Sequence, residues 1–130
     1  MAKTVLVVDD DADFLEMMDA VLSSEGYSVV CCAISGEAQQ RAQQLRPAVV
    51  IVDLVMRDLD GWQVIEQLKA EPTTACSTVI VCTGAVREAT QEVARLRQWG
   101  CEVLLKPFEL CDLLGMLAKA IAQRKSCNGL

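Results

Sequence analysis

Short runs of apolar, mostly β-branched residues alternate along the chain with longer segments in which apolar residues recur at helical spacing. The run at residues 48–52 is apolar throughout, which is typical of a strand buried on both faces of a parallel sheet. Four further runs predict strands at Thr4–Val8, Ser28–Cys32, residues 77–82 and Cys101–Leu105. The second strand in the chain, Ser28–Cys32, is short and less apolar, which favours the edge of the sheet.

Five helices are predicted between and after the strands, over residues 12–25, 36–45, 62–70, 87–99 and 109–124. Asp11 and Ser35 are the predicted N-caps of the first two, because their side-chain oxygens can accept hydrogen bonds from the N–H groups of the first turn. Gly26 is predicted to end the first helix in the left-handed conformation. In the last helix, Leu110 and the leucines that follow it at helical spacing are predicted to face the core.

The alternation of five strands with five helices predicts an α/β fold. Because crossover connections between parallel strands are right-handed, we expect a doubly wound five-stranded parallel sheet with helices on both faces. The length of 130 residues fits one domain. We assign that domain to residues 1–124 and treat residues 125–130 as a C-terminal tail.

The net charge of −6 makes nucleic acid a poor candidate for a direct partner. No apolar run approaches the roughly 18 residues that a membrane helix needs. The first strand begins at Thr4, which leaves no room for a signal peptide. We therefore expect a cytoplasmic protein that contacts neither nucleic acid nor membrane directly.

The seven cysteines include no Cys-x-x-Cys pair, and most of them fall in apolar segments. We expect them to be reduced core residues. The chain has no histidine, which disfavours a zinc site and every nucleophile that a histidine activates. Any phosphohistidine that reacts with this chain must therefore belong to another protein.

Polar residues follow four of the predicted strands: Asp9 and Asp10, Asp53, Thr83, and Lys106. The carboxyl ends of parallel strands lie at one edge of the sheet, so these side chains can share a pocket. Two like charges about 4 Å apart repel by roughly 4 kcal/mol at an effective dielectric constant near 20, so the carboxylates need cations beside them. Lys106 supplies one. Mg²⁺, which binds carboxylates, water and phosphate oxygens, is a suitable source of the remaining positive charge.

Aspartate can accept a phosphoryl group as a nucleophile. The resulting hypothesis is that Asp53 is the nucleophile and that Asp9 and Asp10 hold the Mg²⁺ which lets it react. Lys106 and the Thr83 hydroxyl would pair with phosphoryl oxygens.

Five stretches together give the chain a family resemblance over almost its whole length. It resembles the CheY-like receiver domain of two-component response regulators. The matching stretches are residues 7–11, 51–56, 60–61, 81–84 and 105–108. The resemblance implies a flavodoxin-like (βα)5 fold with strand order 2-1-3-4-5, an order that the sequence itself does not determine.

The resemblance also implies a role for each matching residue. Asp53 is then the phosphoacceptor, Thr83 the switch hydroxyl and Lys106 the cation that pairs with phosphate. The implied Mg²⁺ ligands are Asp10 directly, Asp9 mainly through water, Asp53, and the backbone carbonyl of Val55. The Lys106–Pro107 bond is similar to one that is cis in this family, and X-Pro bonds adopt cis readily.

The implied partners are a sensor histidine kinase or a phosphotransfer protein as the donor, and a target protein or output domain that receives the signal. The chain is then not an enzyme, because it promotes only its own phosphorylation and dephosphorylation. Its kinase, target, oligomeric state and phosphoryl lifetime are not determined by the sequence.

Four positions depart from the family pattern. Arg57 stands where proline is frequent, and Val103 stands where an aromatic residue is usual, three residues before the lysine. Val55 and Ala85 stand where the family often has polar residues that influence dephosphorylation.

Three other function classes can be weighed against this one. A phosphohydrolase of the haloacid dehalogenase kind would use Asp9 as its nucleophile, but Asp13 stands where that motif has Thr or Val. A flavodoxin-like FMN binder needs a phosphate-binding first loop, and three consecutive aspartates would repel phosphate. A degenerate receiver that serves only as an interaction module is disfavoured, because all five residues of the set are present.

Overall fold

The computed structural model describes residues 3–57 and 59–123. The strands are β1 (Thr4–Val8), β2 (Ser28–Cys32), β3 (Val49–Val52), β4 (Thr78–Thr83) and β5 (Cys101–Leu105). The helices are α1 (Ala12–Ser24), α2 (Ala38–Leu45), α3 (Gly61–Ala70), α4 (Val86–Gln91), α5 (Val93–Gln98) and α6 (Leu110–Gln123), and a 3₁₀ turn, Ser35–Glu37, precedes α2. The predicted tail at residues 125–130 lies outside the described residues.

The five strands form one parallel sheet in the order β2-β1-β3-β4-β5, with β2 at an edge. This confirms the predicted fold class, the strand order implied by the resemblance and the edge position of Ser28–Cys32. Within the part of the chain that the structure describes, no helix is both long enough and apolar enough to span a membrane.

A hydrophobic core lies on each face of the sheet. On one face, strand residues such as Leu6 and Val50 pack with α2, α3, α4 and α5. On the other face, residues such as Val7 and Ile51 pack with α1 and α6. All residues of β3 are buried, which explains why the run at residues 48–52 is apolar at every position.

Both predicted ends of the first helix are confirmed. The Asp11 carboxylate accepts hydrogen bonds from the N–H groups of Asp13 and Phe14, at 3.0 and 3.3 Å. Gly26 has φ +92°. The N–H groups of Gly26 and Tyr27 donate to carbonyls of the last helical turn, which is the Schellman arrangement.

Ser35 is not the N-cap of a regular helix, so that prediction is wrong. Its buried hydroxyl accepts a hydrogen bond from the Leu59 N–H at 2.9 Å and donates to the Leu59 carbonyl. The side chain is therefore used by the loop before α3, and the chain enters α2 through a 3₁₀ turn without a side-chain cap.

The single helix predicted over residues 87–99 is two helices, α4 and α5. Glu92 between them has φ −110° and ψ 13°, outside the helical region. Ala89 in α4 and Leu96 in α5 are both buried against the same face of the sheet. The apolar spacing therefore continues across the break, although the helix does not. The inward position predicted for Leu110 is also wrong, because this first residue of α6 is 45% exposed.

The prediction of reduced cysteine holds for Cys31, Cys32, Cys82, Cys101 and Cys111, which are free thiols. Cys111 is exposed, so the prediction that it is a core residue is wrong. The prediction of a reduced cysteine is also wrong for Cys76, which is disulfide-bonded. Cys127 lies outside the described residues.

Candidate functional site

The residues predicted to carry the chemistry lie at the carboxyl ends of four strands, with Thr83 as the last residue of β4 and the others just after their strands. Backbone hydrogen bonds extend the sheet by one residue at three of these ends. The Asp9 N–H donates to the Cys32 carbonyl at 3.1 Å, the Asp53 N–H to the Val8 carbonyl at 3.2 Å and the Lys106 N–H to the Thr83 carbonyl at 2.9 Å. The sheet therefore fixes where these three side chains leave the backbone. The Lys106–Pro107 bond is cis, as the resemblance implied.

The Lys106 ammonium joins two of the predicted carboxylates. Its Nζ donates to Asp9 Oδ2 at 2.7 Å and to Asp53 Oδ2 at 3.2 Å. The Lys106 side chain is 23% exposed, that of Asp53 13% and that of Asp9 2%. This pair of ionic contacts is largely shielded from water, so it is screened by salt much less than a surface pair.

Burial and charge act in opposite directions on this cluster. Burial raises the pKa of Asp9 above its ordinary value of 3.8, although hydrogen bonds from Lys106 and the Asp11 N–H lower it in part. Burial also lowers the pKa of Lys106, but its hydrogen bond to Asp9 and the charges of Asp9 and Asp53 outweigh that effect and raise the pKa above 10.5. Lys106 is therefore a cation at neutral pH.

The raised pKa of Asp9 predicts a pH-dependent difference between Asp9→Asn and the wild type. As pH rises from 3.8 through the folded-state pKa of Asp9, the folded protein holds this proton longer than the unfolded chain, so the free energy of unfolding falls. Asparagine has no such proton. In metal-free urea titrations between about pH 4 and 7, the variant should therefore gain stability relative to the wild type as pH rises.

The matched control is Asp13→Asn, which changes an exposed acid in the first turn of α1. It should show no comparable gain over the same pH range. A stability difference between Asp9→Asn and wild type that stays constant or shrinks with pH would show that burial of the Asp9 charge is not the governing effect.

Asp10 contacts a different element. Its Oδ2 accepts a hydrogen bond from the Arg57 N–H at 3.0 Å, and Arg57 Nε lies 3.6 Å from the same oxygen. The Arg57 side chain is 90% exposed, so the ionic part of this contact is weak. Arg57, one of the departures from the family pattern, thus lies beside a predicted metal ligand and ties the loop after β3 to the end of β1.

The loop after Asp53 is held from both ends. The Val55 N–H donates to Asp53 Oδ1 at 3.2 Å, while the Val55 side chain is 61% exposed. At the far end, Asp60 and Gln63 form a capping box at the start of α3, and the Gly61 N–H donates to the Leu54 carbonyl at 2.9 Å. The first turn of α3 is therefore packed directly against the backbone that carries Asp53.

Thr83 lies at the same edge of the sheet and is fully buried. Its hydroxyl accepts a hydrogen bond from the Ala85 N–H at 3.0 Å. The hydroxyl thus organises the loop between β4 and α4. Val103 pairs with Val81 across the sheet and packs, half-buried, against the core.

One contact of the site, between Lys106 and Phe14, is not predicted by the sequence analysis. The Lys106 Nζ lies 3.9 Å from the centre of the Phe14 ring. Phe14 in turn meets Phe108 edge to face, with 6.3 Å between ring centres. The available signal was weak: an aromatic residue one turn into the helix that follows the acidic end of β1.

The donor set for a metal ion consists of carboxylate oxygens. Among residues 3–57 and 59–123, no group of three or more Asp, Glu, Cys or His side chains is gathered closely enough to hold a metal. Mg²⁺ needs only one or two carboxylates, with water and phosphate oxygens completing its shell. Asp9 and Asp53, brought together by Lys106, fit that requirement in their chemistry, and Asp10, the residue after Asp9, is a further carboxylate at the end of β1.

Comparison with known proteins gives consistent matches. The family model of the response regulator receiver domain matches residues 5–118. The transcriptional regulatory protein PrrA of Mycobacterium leprae is 34% identical over 125 residues, which are 95% of this chain and 52% of PrrA. Protein PilH of Pseudomonas aeruginosa is 31% identical over 118 residues, which are 91% of this chain and 97% of PilH. This chain therefore spans about half the length of PrrA and nearly all of PilH.

Solved structures agree with these matches. The chemotaxis protein CheY4 of Vibrio cholerae is similar with a TM-score of 0.81 and 27% identity, covering 92% of this chain and 99% of that protein. A CheY-like receiver domain protein of Methanospirillum hungatei has a TM-score of 0.83 at 23% identity, covering 95% of this chain and 96% of that protein, and supports the fold alone.

Proposed function

The chain belongs to the family of response regulator receiver domains, and from this we propose that it accepts a phosphoryl group on Asp53. The donor would be the phosphohistidine of a sensor histidine kinase or of a phosphotransfer protein. The observation that carries the proposal is the Asp53 carboxylate held by the Lys106 ammonium at the carboxyl edge of the sheet.

In the proposed step an Asp53 oxygen bonds to phosphorus while the phosphorus–nitrogen bond of the donor breaks, and the donor imidazole takes up a proton. Lys106, whose ammonium lies 3.2 Å from the acceptor carboxylate, would hydrogen-bond a phosphoryl oxygen. The Thr83 hydroxyl, whose oxygen accepts from the Ala85 N–H, would donate its own hydrogen to a second phosphoryl oxygen. The chain acts only on itself in this reaction and is not an enzyme with turnover on other molecules.

We propose Mg²⁺ as the cofactor, held by Asp9, Asp10, Asp53 and the backbone carbonyl of Val55. When bound, Mg²⁺ offsets the negative charge of the phosphoryl oxygens. Lys106 contacts Asp9 and Asp53, and the Arg57 N–H contacts Asp10, at the carboxylates that would hold the ion.

Mg²⁺ should raise the melting temperature of the wild type, because a ligand that binds only the folded state stabilises it by mass action. Asp10→Asn should blunt this rise, since the variant lacks a proposed direct ligand. The check is a thermal melt across a Mg²⁺ titration, with Asp13→Asn as the control acid that should respond like the wild type. An unchanged Mg²⁺ response in Asp10→Asn would remove Asp10 from the ligand set.

The phosphohydrolase alternative is not favoured. It requires Asp9 as the nucleophile, yet Asp9 is only 1% exposed. Asp53 is the more accessible carboxylate.

The proposed output is a conformational change read by a target protein or an output domain. The curated relative PrrA carries roughly as much chain again beyond the matched part. For this chain we propose protein partners, with no direct contact to nucleic acid or membrane, and action in the cytoplasm.

A further inference from the structure

The contact between Lys106 and Phe14 has a use in the reaction. We propose that Phe14 is a positioning residue whose ring face holds the Lys106 ammonium in place for the phosphoryl group. This inference rests on the proposed function of Asp53 as the acceptor. The observation behind it is the position of the Lys106 ammonium over the face of the Phe14 ring, 3.9 Å from the ring centre.

The Lys106 ammonium is in contact with three neighbouring groups. An ammonium group carries three N–H donors. Two of them are directed to Asp9 Oδ2 and Asp53 Oδ2. The Phe14 ring, with its centre 3.9 Å from Nζ, covers a further side with the negative face of its π-system.

The ring itself is fixed by its neighbours. The Phe14 N–H donates to the Asp11 carboxylate that caps α1, which sets the position of the first helical turn. The edge-to-face contact with Phe108 sets the orientation of the ring. Because Phe108 lies two residues after Lys106, the lysine and its ring platform are anchored to the same stretch of chain after β5.

An aromatic face suits this task better than another acid. A lysine has a flexible four-carbon stem, so holding its ammonium in one place carries an entropic cost. A third carboxylate would hold it, but would also compete with the incoming phosphoryl oxygens for the same N–H donors and would repel the phosphoryl group. A ring attracts the cation without adding net charge, so the ammonium can exchange a carboxylate for a phosphoryl oxygen while it remains in place.

The test compares Phe14→Leu, which keeps the apolar volume without the π-face, with Phe14→Tyr, which keeps the face. Initial rates of phosphorylation are measured with acetyl phosphate and Mg²⁺. We expect Phe14→Leu to be slower by about fivefold to tenfold and Phe14→Tyr to stay within about twofold of wild type. Tyr27→Leu, which removes a half-buried ring that precedes β2 at the opposite, amino edge of the sheet, should also stay within about twofold.

A second measurement follows the contact itself and is independent of phosphorylation. The protons on the ε-carbon of Lys106, assigned with Lys106→Arg, should show an upfield ring-current shift in the wild type that is retained in Phe14→Tyr and lost in Phe14→Leu. Thermal melts of all variants show whether each one is folded at the temperature of the assay.

The outcomes separate this inference from the proposed function. If the wild type is labelled but Phe14→Leu reacts at the same rate, or if Tyr27→Leu is slowed as much as Phe14→Leu, the role of Phe14 alone is overturned. Wild type that is not labelled would overturn the proposed function, and absence of the ring-current shift in the wild type would overturn the contact. The inference is supported if Phe14→Leu is phosphorylated slowly and loses the ring-current shift of Lys106, while Phe14→Tyr keeps both the rate and the shift.

Discussion

Gly61→Ala should lower the free energy of unfolding by roughly 3 kcal/mol or more. A Cβ atom built on Gly61 would overlap the Asp53 carbonyl oxygen and lie 2.6 Å from the Leu54 Cα. Both are backbone atoms, so no side-chain rotation relieves the overlap. The first turn of α3 or the loop that carries Asp53 must move, and the capping box at Asp60 and the hydrogen bond from Gly61 to Leu54 would be strained or lost.

The chain offers two matched controls for this substitution. A Cβ on Gly84 or on Gly115 would meet nothing within 4 Å. Gly115 lies inside α6, where alanine should stabilise by about 0.5–1 kcal/mol because it is the better helix former. Urea unfolding of Gly61→Ala, Gly84→Ala and Gly115→Ala measures the three free energies of unfolding. We expect Gly61→Ala to be the least stable of the three. Gly61→Ala within about 0.5 kcal/mol of wild type would contradict the close packing of α3 on the Asp53 backbone.

Much of the fold could be predicted because the sheet is parallel and covered on both faces. Its central strands must be apolar at every position, so runs such as the one around Ile51 stand out against the helices. The edge position of Ser28–Cys32 followed from its lower apolar content. The order of the strands could not be derived this way, because several orders bury the same residues equally well, and it came from the family resemblance.

The errors in the helices have non-local causes. Ser35 has the sequence signature of an N-cap, but its hydroxyl is used by Leu59, which lies on another loop. The break at Glu92 leaves the buried spacing of Ala89 and Leu96 intact, so a pattern of apolar positions cannot reveal it. Local propensity and periodicity describe what a segment favours alone, and for Ser35 a tertiary contact decided the outcome.

For the site, the sequence predicted which strand ends carry chemistry but not which side chains meet. It correctly indicated that Lys106 balances carboxylates, and the structure shows that these are Asp9 and Asp53, while Asp10 contacts the Arg57 loop. The Phe14 contact is invisible in the sequence, because an aromatic residue at helical spacing is explained equally well by core packing. Pairwise geometry of this kind depends on how α1 crosses the sheet, which no local pattern encodes.

Asp53→Asn should abolish phosphoryl incorporation. The amide removes the nucleophilic carboxylate oxygen but is nearly the same size, and its one oxygen can still accept a hydrogen bond from either Lys106 or the Val55 N–H. The variant should therefore stay folded and lose the chemistry alone. Asp13→Asn, an exposed acid outside the cluster, should be labelled like the wild type.

The most direct measurement is the intact mass of wild type and Asp53→Asn after incubation with Mg²⁺ and acetyl phosphate, followed by peptide mapping. We expect one phosphoryl group on the wild type, on the peptide that contains Asp53 and labile to base as an acyl phosphate is, and none on the variant. Equal labelling of both proteins, or a phosphoryl group found on Asp9, would contradict the assignment of Asp53 as the phosphoacceptor.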